Sequence, residues 1–202
     1  MDLVETHSTN DFIKGQYIDT TLCDEIINYF EASNDKTPGA VTEGINESKK
    51  KSTDLVLTDN KLLSKYNTAL QQVFNEYIKT FPMSHTECEW GVVEPINIQR
   101  YYPKEGFYEW HTERDHWDTP VVNRNLVFMT YLNDVNDGGG TEFYHQQKII
   151  QAKKGLTIVV PHIEGDFFNT NYNPNKAFEC GCQFVAMEYQ YIDTNMDMYI
   201  TK

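Results

Sequence analysis

The chain has 202 residues, of which 40% are hydrophobic and 13% aromatic, and its formal net charge is −13. This length and composition predict one globular domain over residues 1–202 and exclude a largely disordered chain. We expect a soluble, intracellular protein, because no apolar run approaches the roughly 18 residues of a membrane span and the start lacks the basic residues of a secretory signal. The acidic surface argues against direct binding to nucleic-acid phosphates.

The amino-terminal part predicts a helix and then a loop. Thr20 or Thr21 can serve as the N-cap of the helix. Residues 33–54 are polar and include the consecutive lysines Lys49–Lys51, so they predict a mobile surface loop with solvated lysines. Apolar residues of the helix recur at helical spacing, namely Leu22, Ile26, Ile27 and Phe30.

A longer apolar stripe predicts a second helix that packs on a sheet. The helix is expected to begin near Thr58 or Asp59 as its cap and to end before Pro82, because proline disrupts a helix interior. The residues of the stripe are Leu62, Leu63, Tyr66, Leu70, Val73, Phe74, Tyr77 and Ile78.

From about residue 90 the pattern changes to short β-rich segments separated by turns. Ile96 and Ile98 alternate with polar residues, and residues 183–192 alternate again. Helices followed by many short strands predict an α+β domain with a β-sandwich or jelly-roll core braced by the helices. The other β-rich segments are residues 125–132, 141–145 and 155–161.

The four cysteines predict reduced structural thiols rather than a zinc site. Only two of them are close in sequence, and no second pair of cysteine or histidine residues has zinc-ligand spacing. The cysteines are Cys23, Cys88, Cys180 and Cys182.

A candidate iron site lies in the stretch FYEWHTERD, residues 107–115. Non-haem iron oxygenases bind their metal through two histidines and one carboxylate, which leaves positions open for cosubstrate and oxygen. In an extended segment, residues i and i+2 point the same way, so His111 and Glu113 are placed to chelate one ion. Taken alone, His-x-Glu is weak evidence, and a surface or core histidine is the common alternative.

Three longer blocks extend this pattern: INIQRYYPKEGFYEWHTE (96–113), NRNLVFMTYLNDVNDGGGTEFY (123–144) and AKKGLTIVVP (152–161). Their order after two helices resembles the 2-oxoglutarate- and Fe(II)-dependent dioxygenases of the prolyl 4-hydroxylase type, especially the small versions carried by bacteriophages. The resemblance covers about residues 11–192. It implies a double-stranded β-helix, or jelly-roll, core and hydroxylation of a protein or peptide side chain, with prolyl residues among the substrates.

The same resemblance assigns roles to individual residues. It implies that His111 and Glu113 are iron ligands, and several phage-type members have Glu where most of the family has Asp. It further implies that Tyr102 or Tyr108 lines the pocket for 2-oxoglutarate and that Thr141 faces this cosubstrate. The block 152–161 corresponds to the strand that leads to the last metal ligand.

The chain departs from the family pattern after this block. The family has a distal histidine ligand there, followed by a Lys or Arg that binds the far carboxylate of 2-oxoglutarate. Matching QFVAMEY (183–189) to the closing strand places Gln183 at the cation and Asn171 at the histidine, and EGDFFNTN (164–171) places Asn171 there as well. An Asn amide is a weaker Fe(II) ligand than imidazole, and Gln183 removes a charge-assisted hydrogen bond.

Other residues are candidates for the missing groups. His162 is the alternative third iron ligand, and Lys176 or Arg100 is the alternative cation. The remaining histidines carry less information: His116 is expected to be solvated, His145 to be structural, and His7 and His85 show no pattern.

Two hypotheses of different class follow. The first is an active dioxygenase with Fe(II) and 2-oxoglutarate as cofactors and a protein or peptide as substrate. The second is a degenerate member that keeps the fold as a structural or binding protein, for example in a phage particle. The expected location is the cytoplasm, which means the host cytoplasm or the virion if the chain is encoded by a phage.

Overall fold

The structure, a computed structural model, describes residues 12–85, 90–113, 124, 126–144 and 146–161. All of these belong to one unit, Met1–His162, whereas the unit Ile163–Lys202 lies outside the described residues. The single domain over residues 1–202 therefore stays a prediction. In the described part of the chain, no helix is long and apolar enough to cross a membrane.

Two helices form where apolar stripes follow a capping aspartate. Helix α1, Thr20–Ala32, begins after Asp19, whose carboxylate accepts a hydrogen bond from the Thr21 backbone N–H at 2.9 Å. The prediction of Thr20 or Thr21 as the cap is therefore wrong, because Asp19 supplies the acceptor one residue earlier. Helix α2, Asn60–Thr80, has Asp59 as its cap and ends before Pro82, as predicted. A short 3₁₀ helix, Pro82–His85, follows it.

Eight strands form three antiparallel sheets in the described residues. The first sheet has the order β1-β8-β5, with Lys14 opposite Val159 and Phe128 opposite the same Val159. The second has the order β2-β3-β4, and the third pairs β6 with β7. The strands are β1 Lys14–Tyr17, β2 Thr37–Pro38, β3 Thr53–Val56, β4 Asn97–Arg100, β5 Leu126–Thr130, β6 Thr141–Phe143, β7 Lys148–Ile150 and β8 Leu156–Pro161.

The main core lies between the two helices and the sheets. Phe74 of α2 meets Trp90 and Phe128 edge to face, with ring centroids 5.3 and 5.6 Å away. Such contacts fix α2 on β5, which confirms that the stripe packs on a sheet. The stripe residues Leu63 and Ile78 are only partly buried. Its fully buried residues are Leu62, Tyr66, Leu70, Val73, Phe74 and Tyr77.

The prediction of a solvated loop over residues 33–54 is wrong in part. Strand β2 and the start of β3 lie within it, and Lys50 is only 4% exposed. The lysine pairs with the carboxylate of Asp54, an acceptor that the charge pattern alone did not reveal. A polar stretch can therefore be ordered when its own charges pair inside the fold.

The α+β class with antiparallel strands is confirmed, but the closed jelly roll stays a prediction. Its expected closing strand, residues 183–192, lies outside the described residues, as do Cys88, Cys180 and Cys182. The remaining cysteine, Cys23, is a buried free thiol whose pKa is raised by burial, which agrees with a structural role.

Candidate metal and cosubstrate site

Residues 101–113, named here the ligand segment, are anchored on the lysine run Lys49–Lys51. The Lys51 backbone N–H donates to the Gly106 carbonyl at 2.9 Å, and the Tyr108 N–H donates to the Lys49 carbonyl at 2.7 Å. Between these bonds, Lys50 and Phe107 form an isolated antiparallel bridge. The segment that leads to His111 is thus fixed through its backbone.

The lysine run is in turn fixed by a buried polar cluster around Asp54. The Asp54 carboxylate accepts from the Lys50 ammonium at 3.0 Å, the Ser52 hydroxyl at 2.6 Å and the Asn97 amide at 3.0 Å. Gly39 packs against this cluster so closely that a Cβ there would lie 2.0 Å from the Ser52 Oγ. The cluster joins β3, β4 and the lysine run in one hydrogen-bonded unit.

The His111 ring is held from two sides. Its imidazole stacks on Phe107, with ring centroids 3.8 Å apart and an interplanar angle of 10°. Its Nδ1 lies 3.1 Å from the Glu109 carbonyl oxygen. Because a carbonyl oxygen can only accept, this contact places the proton of the neutral ring on Nδ1 and the ring lone pair on Nε2.

The carboxylate of Glu113 faces that lone pair. The distance from His111 Nε2 to Glu113 Oε1 is 3.5 Å, and the two side chains are 39% and 42% exposed. A nitrogen and a carboxylate oxygen at this separation match two ligands of a first-row divalent ion. The predicted chelating pair is therefore brought together.

Arg124 and Glu94 complete the surroundings of Glu113. The Arg124 Nη1 donates to the Glu113 carbonyl oxygen at 2.5 Å and lies 3.5 Å from its Oε2. Its Nε and Nη2 each bind an oxygen of Glu94 at 2.6 Å. These bonds lower the pKa of Glu94 below its ordinary value. The sequence pattern did not indicate that Arg124 contacts Glu113 or Glu94.

The described residues hold two of the three predicted protein ligands of an iron site. Within them, no group of three or more His, Cys, Asp or Glu side chains is arranged to hold a metal ion. Both candidates for the third ligand, His162 and Asn171, lie outside the described residues, as does Gln183. The donor set that is described fits Fe(II) as far as it goes, with one imidazole and one carboxylate.

The predicted cosubstrate residues lie on two parts of the chain. Tyr102 and Tyr108 belong to the ligand segment and are about half exposed, and the Tyr108 hydroxyl donates to the Lys104 carbonyl at 2.7 Å. Thr141 lies at the start of β6, where its hydroxyl accepts from the Tyr131 hydroxyl at 2.6 Å. Burial raises the pKa of Tyr131 above its ordinary value.

Arg100, one of the two predicted replacements for the missing cation, is already engaged. Its Nη1 donates to both carboxylate oxygens of Glu31, at 2.8 and 3.0 Å, and its guanidinium lies over the rings of Phe30 and Tyr102. The second replacement, Lys176, lies outside the described residues.

Only one of the less informative histidines is described. His85 meets Trp90 edge to face, at 5.8 Å between ring centroids. His7, His116 and His145 lie outside the part of the chain that the structure describes. The expectations for His116 and His145 therefore stay predictions.

Comparison with solved structures identifies the fold. A prolyl 4-hydroxylase from Pseudomonas putida matches with a TM-score of 0.54 and 15% identity, over 76% of this chain and 84% of that one. The two chains share a fold. A viral collagen prolyl hydroxylase from Paramecium bursaria Chlorella virus-1, solved as a 2-oxoglutarate complex, matches with a TM-score of 0.49 and 19% identity, over 74% and 76% of the two chains. No protein-family model and no curated protein matches by sequence.

Proposed function

We propose that this chain is a dioxygenase of the prolyl 4-hydroxylase type, dependent on Fe(II) and 2-oxoglutarate, which hydroxylates a protein or peptide side chain. The proposal depends on one observation above all, the approach of His111 Nε2 to Glu113 Oε1 at 3.5 Å. The pair lies within a fold similar to that of a prolyl 4-hydroxylase. A jelly-roll core closed by residues 183–192 is part of this proposal.

The residues of the site would have separate roles in binding the metal and the cosubstrate. His111 and Glu113 would hold the metal, while Phe107 and the Glu109 carbonyl keep the imidazole in place. When bound, iron and 2-oxoglutarate would supply the oxidising chemistry with O2 as the oxidant: one oxygen atom would enter the C–H bond as a hydroxyl, and the other would enter the succinate that forms as the cosubstrate loses CO2. Tyr102, Tyr108 and the hydroxyl pair Tyr131–Thr141 are the polar groups proposed to bind the cosubstrate.

The third metal position and the cosubstrate anchor come from residues 162–183 in this proposal. His162 and Asn171 are the two candidates for the third ligand, and Gln183 stands where the family pattern has Lys or Arg. A neutral amide at the anchor lacks a charge-assisted hydrogen bond, commonly worth about 1.5–3 kcal/mol. We therefore expect weak binding of 2-oxoglutarate, even where the metal binds well.

A second candidate function is supported by the same two positions. Asn171 and Gln183 together would remove the distal histidine and the cation of the family pattern. A chain with both losses would keep the fold and act as a structural or binding protein, for instance a phage virion component. In either case we propose a protein or peptide as the partner, located in the cytoplasm or the virion. A nucleic-acid partner is disfavoured, because a net charge of −13 repels phosphates.

An anaerobic titration with Fe(II) and then 2-oxoglutarate tests the proposal. The visible charge-transfer band of the iron chelate is expected in the parent and should vanish in His111→Ala. His85→Ala is the matched control, because His85 contacts Trp90 rather than Glu113 and should keep the band. Comparison of His162→Ala with Asn171→Ala then identifies the third ligand. Absence of the band at millimolar 2-oxoglutarate, with Fe(II) bound or unbound, would favour the structural protein.

A further inference from the structure

We propose that Arg124 is a positioning residue that orients the Glu113 carboxylate for metal binding. This inference rests on the proposed function, since it concerns the same metal pair. The Arg124 guanidinium contacts Glu113 twice, through the backbone carbonyl oxygen at 2.5 Å and through Oε2 at 3.5 Å. The other carboxylate oxygen, Oε1, is the one that faces His111.

Glu113 needs such a contact more than a shorter side chain would. A glutamate has one more rotatable bond than an aspartate, and its rotamers are restricted little when it is 42% exposed. Each orientation in which Oε1 points away from His111 weakens a chelate of the two residues. A cation beside Oε2 favours the orientation in which Oε1 faces the imidazole, and it directs Glu113 toward binding through one oxygen.

The geometry requires arginine rather than a cation of any kind. One edge of the guanidinium, Nε and Nη2, binds both oxygens of Glu94, while Nη1 contacts Glu113. A lysine ammonium is a compact point charge whose three N–H donors rotate, so it lacks the rigid planar fork that holds these two carboxylates in a fixed arrangement. Glu94 thus sets the plane of the guanidinium, and the guanidinium sets Glu113.

The charge of Arg124 does not oppose a metal ion as strongly as an isolated cation would. Glu94 binds it at 2.6 Å through two hydrogen bonds, so the pair is nearly neutral as seen from the metal position. Partly exposed ion pairs also contribute little to folding. Loss of Arg124 should therefore affect the metal site much more than the stability of the chain.

Binding of Mn(II) alone tests this inference without cosubstrate or turnover. Free Mn(II) is counted by its electron paramagnetic resonance signal during titration of the full chain, in the parent and in Arg124→Met, Arg124→Lys and Glu94→Gln. We expect Arg124→Met to weaken Mn(II) binding by about 10- to 100-fold, the usual cost of losing an outer-shell partner. Arg124→Lys should restore only part of the affinity, and Glu94→Gln should cause a smaller loss than Arg124→Met.

Lys65→Met is the matched control, because it also removes an ion pair with a glutamate, Glu25, but one that joins the two helices. It should leave Mn(II) binding unchanged, and thermal unfolding checks that every variant is folded. If the parent and Arg124→Met bind Mn(II) with equal affinity, the role of Arg124 is overturned but the proposed metal pair is not. If the parent fails to bind Mn(II), or binds it as well after His111→Ala, the proposed metal pair itself fails and the inference falls with it.

Discussion

The helix-backed core and the ligand segment are held by different kinds of interaction. In the core, apolar side chains of α1 and α2 such as Leu22, Ile26 and Leu70 are buried against each other and the sheets. In the ligand segment, Tyr102, Tyr108 and Trp110 are about half exposed, and backbone hydrogen bonds to the lysine run fix the chain. This fold therefore separates the residues that stabilise it from those that are proposed to bind a ligand.

Magnitudes support this separation. Full burial of a large apolar side chain contributes about 1.5–3 kcal/mol, whereas an exposed ion pair contributes about 0–1 kcal/mol. Substitutions at His111, Glu113 and Arg124 should thus leave the chain folded. The Lys50–Asp54 pair is the exception, because it is buried and also carries the segment that pairs with Phe107 and Tyr108.

Asp54→Ala should have the largest effect, because it disrupts the link between the two regions. The change leaves the buried ammonium of Lys50 without its carboxylate and removes the acceptor of Ser52 and Asn97. We expect the free energy of unfolding to fall by about 3–5 kcal/mol, as measured by urea denaturation. Mn(II) affinity should fall as well, since the lysine run that anchors the ligand segment loses its support.

The control is the double variant Lys50→Met with Asp54→Asn, which removes both charges and keeps a polar partner for Ser52. It should be more stable than Asp54→Ala, because an unpaired buried charge costs more than a missing pair. If Asp54→Ala lowers the free energy of unfolding by less than about 1 kcal/mol, as expected for an exposed ion pair, the Lys50–Asp54 pair is not effectively buried.

Buried tyrosines should make the stability of the chain depend on pH. Burial raises the pKa of Tyr66 from 10.0 to about 12, with a smaller opposing effect from its hydrogen bond to Thr130. The unfolded chain therefore loses this proton at a lower pH than the folded chain. The resulting stability is complete below pH 10 and is lost as the pH rises toward 12. At about 1.4 kcal/mol per pKa unit, the loss is about 2–3 kcal/mol.

Denaturant unfolding of the parent and Tyr66→Phe from pH 8 to 11.5 measures this contribution. Tyr66→Phe should be less stable at pH 8, by about 1 kcal/mol for the lost hydrogen bond to Thr130. Its stability should then fall less steeply above pH 10. Burial also raises the pKa of Tyr101 and Tyr131, so some slope should persist. Identical slopes in the two proteins would show that Tyr66 ionises freely in the folded chain.

The sequence predicts the parts of the fold in which apolar residues recur at a regular spacing. Helix α2 follows from its stripe and from the Asp59 cap, and β5 and β8 follow from continuous β-rich runs. Strand β1 is not predictable in this way, because its buried residues include Lys14 and Gln16, which do not look like a core strand. Its position is set by pairing with β8, far along the chain, and no local pattern carries that information.

The same limit applies to the site. The approach of His111 to Glu113 could be predicted, because side chains at i and i+2 of an extended segment point the same way. Their role as metal ligands stays a prediction. Arg124 and Glu94 could not be predicted, since Arg124 lies 11 residues from Glu113 and 30 residues from Glu94, and no short-range pattern indicates such contacts. The interpretation of the lysine run failed at Lys50 for a related reason, because a sequence shows charges but not which of them will be buried and paired.

Phe107→Leu should have the smallest effect on stability and still change the site. Leucine keeps apolar bulk but cannot stack on the imidazole, which lies 3.8 Å from the Phe107 ring at 10°. We expect the free energy of unfolding to change by at most about 0.5 kcal/mol, as for other surface positions. Mn(II) affinity should fall by about tenfold, the lower end of the range for outer-shell partners, because His111 gains rotamers that turn Nε2 away from Glu113.

Leu70→Ala is the control for Phe107→Leu, because it should lower the stability of the chain and leave Mn(II) affinity unchanged. Leu70 is 1% exposed, and its truncation should cost about 2–5 kcal/mol by leaving a cavity. Mn(II) affinity of the folded fraction should nevertheless match the parent. If Phe107→Leu lowers stability as much as Leu70→Ala, or leaves Mn(II) affinity unchanged, the stack belongs to the packing of the fold. The Phe107 and His111 rings are nearly parallel, with an interplanar angle of 10°, and Phe107 is partly exposed. This arrangement favours a role for Phe107 in orienting the histidine.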